Sequence, residues 1–353
     1  MTPRRNFVPD CKNIENAARN IEAVRLPLYE HSISQGTIEK ITGKNLGDLL
    51  WCKSRKDKEE YFDIYCSFFR DMGYDTVSFE MRIGPVMPHS GLLAGHGESV
   101  INTYKDFEDY PWDIIPDAFF NQYGEMFEVL REKLPEGMRA VGGPGNGLFE
   151  CVQDIVGYMN LCGIKGDYPE LYEAVFKKTG EIILKIWQRF MKEFGDAFCV
   201  MRIGDDLGFK SSTLLSPDDI RSHIIPSYTK IIKCAHSYNK PFLFHSCGCI
   251  FEVMQDFINT AKIDAKHSNE DEIAPFPVWV EKYGKEIGNF GGIDMDVLCQ
   301  LPVTDIRSHV HDILDRCKNG GGIAFSTGNS IPDYVPVDNY AEMVEAVRVY
   351  RGE

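Results

Sequence analysis

The imidazole of His245 and the thiol of Cys247 stand two residues apart in the stretch HSCGCI, directly after the apolar run Pro241 to Phe244 and before a glycine. Side chains at i and i+2 of a strand leave it on the same side, so the pair can close on one cation. A nitrogen donor and a sulfur donor together suit zinc. Two ligands do not complete a site, and the others have to come from elsewhere in the chain.

Polar residues follow other apolar runs in the same way. Glu30 and His31 come after the first, Glu80 closes the second, and Asn146 lies in the loop GGPGNG after the third. Asp205 and Asp206 follow the fourth, His267 and Glu270 the sixth, Asp294 the seventh, and Asn329, with Tyr334 beyond it, the eighth. Adjacent carboxylates point to different sides of the chain, so at most one of Asp205 and Asp206 faces a common site. Acids after strands also cap helices, a role that fits Asp294 as well as catalysis does, and His31 fits a hydrogen-bonded core histidine equally well. GGPGNG lacks both the dinucleotide fingerprint and the phosphate-loop lysine, and reads as close backbone approach to a bulky ligand. Phe79, Met81, Met87, Phe209 and Tyr334 could line an apolar pocket near these groups, although packing accounts for each of them as well.

These residues need a scaffold that brings many strand ends together. Eight short runs rich in β-branched and aromatic residues recur at Leu26 to Tyr29, Thr76 to Phe79, Arg139 to Gly142, Phe198 to Ile203, Pro241 to Phe244, Ile263 to Lys266, Ile287 to Gly291 and Ile323 to Phe325. Helix-patterned segments join them. The segment 180–194 carries its apolar residues at helical spacing, and Ser216, Pro217 and Asp219 read as a capped helix start. Eight strands alternating with helices predict a (β/α)8 TIM barrel with loop insertions, and a doubly wound open sheet is the runner-up. We expect one domain over 1–353, with an N-terminal helical segment over 1–23.

Thirty-eight basic against 53 acidic residues give a net charge of −15, interleaved rather than blocked, which excludes nucleic acid and anionic membrane as partners. The first 25 residues hold no uninterrupted apolar stretch, and no run of 18 apolar residues occurs. Eleven scattered cysteines then read as reduced thiols in a cytoplasmic protein.

The segments VRLPLYEH, VSFE, GGPGNGLFE, HSCG, IGNFGGID and STGNSIPDYVPVDNY resemble the uroporphyrinogen decarboxylase superfamily over nearly the whole chain. That superfamily holds metal-free decarboxylases and zinc-dependent, corrinoid-linked methyltransferases, and the resemblance implies the same barrel fold. The decarboxylase pattern has paired arginines after the first strand and an aspartate at the second. Here YEHSISQGTIEK has no arginine and Glu80 replaces the aspartate. The methyltransferase pattern resembles HSCG, with His245 and Cys247 as metal ligands, but Asn329 stands where its second cysteine would be. Either a carboxylate from Glu80, Asp206 or Glu270, or the imidazole of His267, completes the zinc site, or the zinc is lost.

The resemblance implies a zinc-dependent methyltransferase that moves a methyl group between a small donor and a corrinoid protein. The donor would be a methoxylated aromatic or a methylamine. Glu80, Asp206, His267 and Asn329 are the expected catalytic residues, and Glu30, His31, Asn146, Asp205, Glu270 and Tyr334 the expected substrate contacts. The alternatives are a decarboxylase-like lyase without metal and a non-catalytic ligand-binding barrel.

Overall fold

The computed structural model describes residues 7–353. Seven parallel strands pair in sequence order, β1 (Thr76–Arg82), β2 (Arg139–Gly145), β3 (Phe198–Gly204), β4 (Phe242–His245), β5 (Ala265–His267), β6 (Gly288–Ile293) and β7 (Ile323–Thr327). They coincide with the second to eighth apolar runs of the sequence. Parallel neighbours need long crossovers, and helices supply them. The longest, Pro169–Phe194, buries Ile182, Ile183, Ile186, Trp187, Phe190, Met191 and Phe194, which are the stripe seen in the sequence.

The first run departs from expectation. Leu26 to Tyr29 does not ladder and makes a single parallel bridge, Leu28 to Phe325. Tyr29 N donates to Phe325 O and Phe325 N to Pro27 O, each at 2.9 Å. Pro27 has no N–H to extend the pairing. On the other flank the Glu30 carbonyl accepts from the Ser78 hydroxyl of β1 rather than from a backbone amide. The fold is thus an α/β structure with a seven-stranded parallel sheet, and a bridged segment stands where the eighth strand was expected.

Two layers of side chains fill the concave face of the sheet. The lower layer is apolar and comprises Tyr29, Val141, Val200, Leu243, Ala265, Phe290 and Ala324, with Ile14, Ala17 and Ala18 of the helix Lys12–Ala18 packed onto it. A Cβ on Gly288 or Gly322 would come within 2.1 or 2.2 Å of Ala17 O, so these glycines let that helix seat against the strands. The helix is shorter than the segment expected over 1–23, whose first six residues lie outside the described chain. Strand side chains alternate, so the positions two beyond Val200, Leu243 and Ala265 face the same interior. They are Arg202, His245 and His267, a polar layer directly above the apolar one. Among the described residues no helix is long and apolar enough to cross a membrane.

Candidate metal centre

His245 is the last residue of β4 and is in register with His267 at the end of β5. Their Nδ1 atoms lie 2.7 Å apart, and His267 Nε2 lies 3.2 Å from Thr327 O. A carbonyl oxygen only accepts, so His267 carries its proton on Nε2. Burial pushes the His267 imidazole down to about 3, which leaves it neutral and its Nδ1 bare. That atom accepts from His245 Nδ1–H, and His245 Nε2 is therefore left with a free lone pair. Burial, then His267 and Arg202, hold His245 well below the ordinary histidine range, so it too is neutral.

The free Nε2 faces Cys247 Sγ at 3.5 Å and Asp206 Oδ1 at 3.8 Å. Tetrahedral zinc with bonds of about 2.0–2.3 Å separates its ligand atoms by about 3.3–3.7 Å, a spacing that the His245 and Cys247 pair meets and that the Asp206 oxygen reaches by closing a few tenths of an ångström. The ligand atoms of all three residues fall within 4.8 Å of one another. Asp206 is held in place by the Cys247 amide, which donates to its Oδ1 at 2.9 Å. Burial and the Asp206 carboxylate push the Cys247 thiol up to about 12, a cost that a bound cation would offset. Asn329 Nδ2 donates to the same sulfur at 3.2 Å. Asn329 thus adjoins Cys247.

Around the trio lies a cavity of about 240 Å³, bounded by His31, Glu80, Arg82, Asn146, Glu150 and Asn329 among others. His31 stacks on the His245 ring at 3.9 Å between centroids. Burial and Arg202 depress His31 well below the usual range, and its buried Nδ1 has no hydrogen-bond partner. Glu80 accepts from Arg202 Nε at 3.0 Å and Nη2 at 2.8 Å, while Arg202 Nη1 reaches Tyr29 OH and His31 O. A fully buried guanidinium that gives two hydrogen bonds to the one oxygen Oε2 of Glu80 and reaches two further acceptors is well satisfied, and it fixes Glu80 and His31 together.

Other expected residues lie elsewhere. Asp205 turns the opposite way from Asp206 and caps the helix Leu148–Val156, accepting from Phe149 N at 3.1 Å, Glu150 N at 3.0 Å and Tyr228 OH at 3.0 Å. Burial pushes it up to about 7. Glu30 points into the outer layer, where it meets Thr327. Asp294 caps the helix Met295–Gln300. Glu270 accepts from Gly248 N at 3.4 Å and, with Tyr334, borders a neighbouring cavity of about 850 Å³ that shares Asn329 with the first. Phe79, Met81 and Met87 belong to the core, and Phe209 and Tyr334 are exposed, so no apolar pocket forms from them.

The glycine loop also differs from expectation. A Cβ on Gly147 would sit 2.1 Å from Asp205 Cβ, and one on Gly145 would sit 3.1 Å from Glu80 Cδ, so the loop makes room for the protein's own carboxylates rather than a bulky ligand. Asn146 adopts φ 61° there, and its Oδ1 accepts from Gly84 N and Arg82 Nε, both at 3.2 Å. Arg202, Arg82 and Glu150 did not emerge from the sequence. The one available signal was a charged residue inside the buried run FCVMRIG.

Comparison with known proteins agrees with this architecture. A methyltransferase from Methanosarcina mazei superposes with a TM-score of 0.68 at 16% identity, covering 96% of this chain and 98% of its own. A vitamin-B12-independent methionine synthase assigned in Listeria monocytogenes gives a TM-score of 0.53 at 12% identity, covering 93% and 99%. At these identities the likeness is one of fold. No curated protein sequence matches the chain. Residues 55–350 match the family described as uroporphyrinogen decarboxylase (URO-D). That span covers all seven strands of the sheet and every residue of the trio, and the chain belongs to the uroporphyrinogen decarboxylase family.

Proposed function

We propose that the protein is a zinc-dependent methyltransferase working with a corrinoid protein, and that the whole chain acts as one barrel domain. The observation that carries this is the Asp206, His245 and Cys247 trio, whose donor spacing and free Nε2 suit a tetrahedral cation. Asp206 takes the place left by the missing second cysteine. With one thiolate rather than two among its ligands, zinc there would keep the Lewis acidity needed to draw charge from an ether or amine leaving atom. A corrinoid carried by the partner would supply, as Co(I), the electron pair for the new bond to the methyl carbon, and the pair of the broken bond would stay on the leaving oxygen or nitrogen, which would take a proton.

The chain's own groups prepare that event. His267 fixes the His245 tautomer, Asn329 orients Cys247, and Arg202 keeps Glu80 in place at the cavity wall. In a metal-free decarboxylase Glu80 would act as a free anchor, yet it is already bonded twice to Arg202.

Metal analysis of untagged protein, with methyl transfer from methoxylated aromatics or methylamines to a Co(I) corrinoid protein, tests the proposal. We expect close to one zinc per chain, lost in Cys247→Ala and Asp206→Ala together with transfer. Zinc below about 0.2 per chain, or zinc unchanged in both variants, would sink it.

A further inference from the structure

Arg82 ends β1 at the lip of the cavity that holds the trio. Its Nε donates to Asn146 Oδ1 at 3.2 Å, which fixes the plane of the guanidinium. Its two terminal nitrogens make no hydrogen bond or ion pair with any described residue. The contrast with Arg202 is direct, because that guanidinium uses all three nitrogens on protein acceptors. Glu150, which borders the same cavity, is engaged by Asn146 Nδ2 at 2.7 Å. Burial and Asp205 push Glu150 up to about 8, with the charge of Arg82 a lesser opposing influence, and no ion pair closes between the two.

Charge balance in the cavity points the same way. Glu80 cancels Arg202. A dication held by the Asp206 carboxylate and the Cys247 thiolate is neutral as a unit. What remains is the single positive charge of Arg82, in a chain whose net charge is −15. A fork-shaped cation with two unused N–H edges matches a carboxylate in two-point contact. The cavity, at about 240 Å³, admits a small molecule.

We propose that Arg82 is a specificity-determining residue that receives the carboxylate of the methyl donor, so that the substrate is a small monocarboxylate whose methyl-bearing atom reaches the metal trio. This rests on the methyltransferase reading for what happens next, but the recognition itself is a binding property. A methoxybenzoate and a carboxylated quaternary amine both meet the requirement, and they are the two arms of the test.

Calorimetry on the zinc-loaded chain would compare 3-methoxybenzoate with 3-methoxybenzyl alcohol, and glycine betaine with choline. In at least one pair the carboxylate should bind about tenfold or more tightly than its partner. Arg82→Gln should erase that preference by weakening the carboxylate alone, with zinc content and Tm unchanged because the side chain is exposed. Arg82→Lys should recover part of it. Equal affinities within both pairs, a preference that survives Arg82→Gln, or no binding of any of the four probes would overturn the assignment. If the preference holds but no methyl reaches a Co(I) corrinoid, the methyltransferase reading fails and Arg82 keeps its role. Transfer from the donors that lack a carboxylate, indifferent to Arg82→Gln, would do the reverse.

Discussion

His267 and Asn329 touch His245 and Cys247 from behind, one through a ring nitrogen and the other through an amide. Such supporting contacts are worth about 10- to 100-fold in metal affinity. His267→Phe and Asn329→Leu should each lower zinc affinity by that order in a chelator competition, with Tm changed less than in a core truncation. Glu30 invites a different experiment. Thr327 Oγ1 lies 2.6 Å from both Glu30 Oε2 and Asn329 O, yet it has one proton to give. The carbonyl can only accept and takes it, so Glu30 must bring a proton of its own. Burial likewise raises Glu30 from 4.5 to about 8. The folded chain then holds a proton that the unfolded chain releases between those values, so stability falls as pH rises from about 4.5 to 8. Glu30→Gln keeps the donor without the titration. Its Tm should match the parent near pH 5 and exceed it by ~5 °C or more at pH 8; a constant gap in scanning calorimetry would show Glu30 ionised throughout. In the sequence Glu30 looks like a site residue because it follows an apolar run, and only the outward turn after Tyr29 reveals otherwise.

The loops after β3 and β4 carry Asp206 and Cys247, and they meet through a pair of glycines. A Cβ on Gly208 would lie 2.6 Å from Cys249 N, and one on Gly248 would lie 2.2 Å from Gly208 C. Cys249 N also donates to Phe209 O at 2.7 Å. The separation of Asp206 and Cys247 is therefore set by backbone contact between loops. Gly208→Ala has to push the loops apart, and we expect it to reduce zinc content at least as much as loss of Asn329 while every ligand remains; full zinc retention in that variant would show that the loops are compliant. This clasp was not legible in the sequence, where Gly204 and Gly208 indicate only an irregular turn. The strands were legible, because strands buried on both faces read as continuous apolar runs. His245 and Cys247 were legible for the same reason, as polar residues at the end of such a run. The choice between Asp205 and Asp206 was not, since it depends on the position of the helix Leu148–Val156 more than fifty residues upstream. Arg202 was hidden inside a run otherwise apolar, and its acceptors come from Tyr29, His31 and Glu80, all distant in sequence.

At the scale of the whole molecule the sheet is built from neighbours, each strand pairing with the next in the chain. The one exception is the seam, where Leu28 bridges Phe325 and Glu30 meets Thr327 across 297 residues. The run Leu26 to Tyr29 passed for a strand because its composition is that of one, while Pro27 and the Ser78 hydroxyl that limit its pairing act only in three dimensions. The seam also orders events in time. Pairing of adjacent strands closes short loops, whereas the seam waits until a loop of nearly the full chain has closed, a step that carries the largest entropic cost. It should be the last part to form and the first to open. Leu28→Ala, a fully buried truncation, is then expected to accelerate unfolding by about tenfold or more while leaving the refolding rate within about twofold. Stopped-flow fluorescence in denaturant would read both limbs, and a slowed refolding limb would place the seam in the folding nucleus instead. A latch that opens first shares Thr327 with the hydrogen bond that fixes His267, so brief escapes of the seam would also set how quickly the ion leaves.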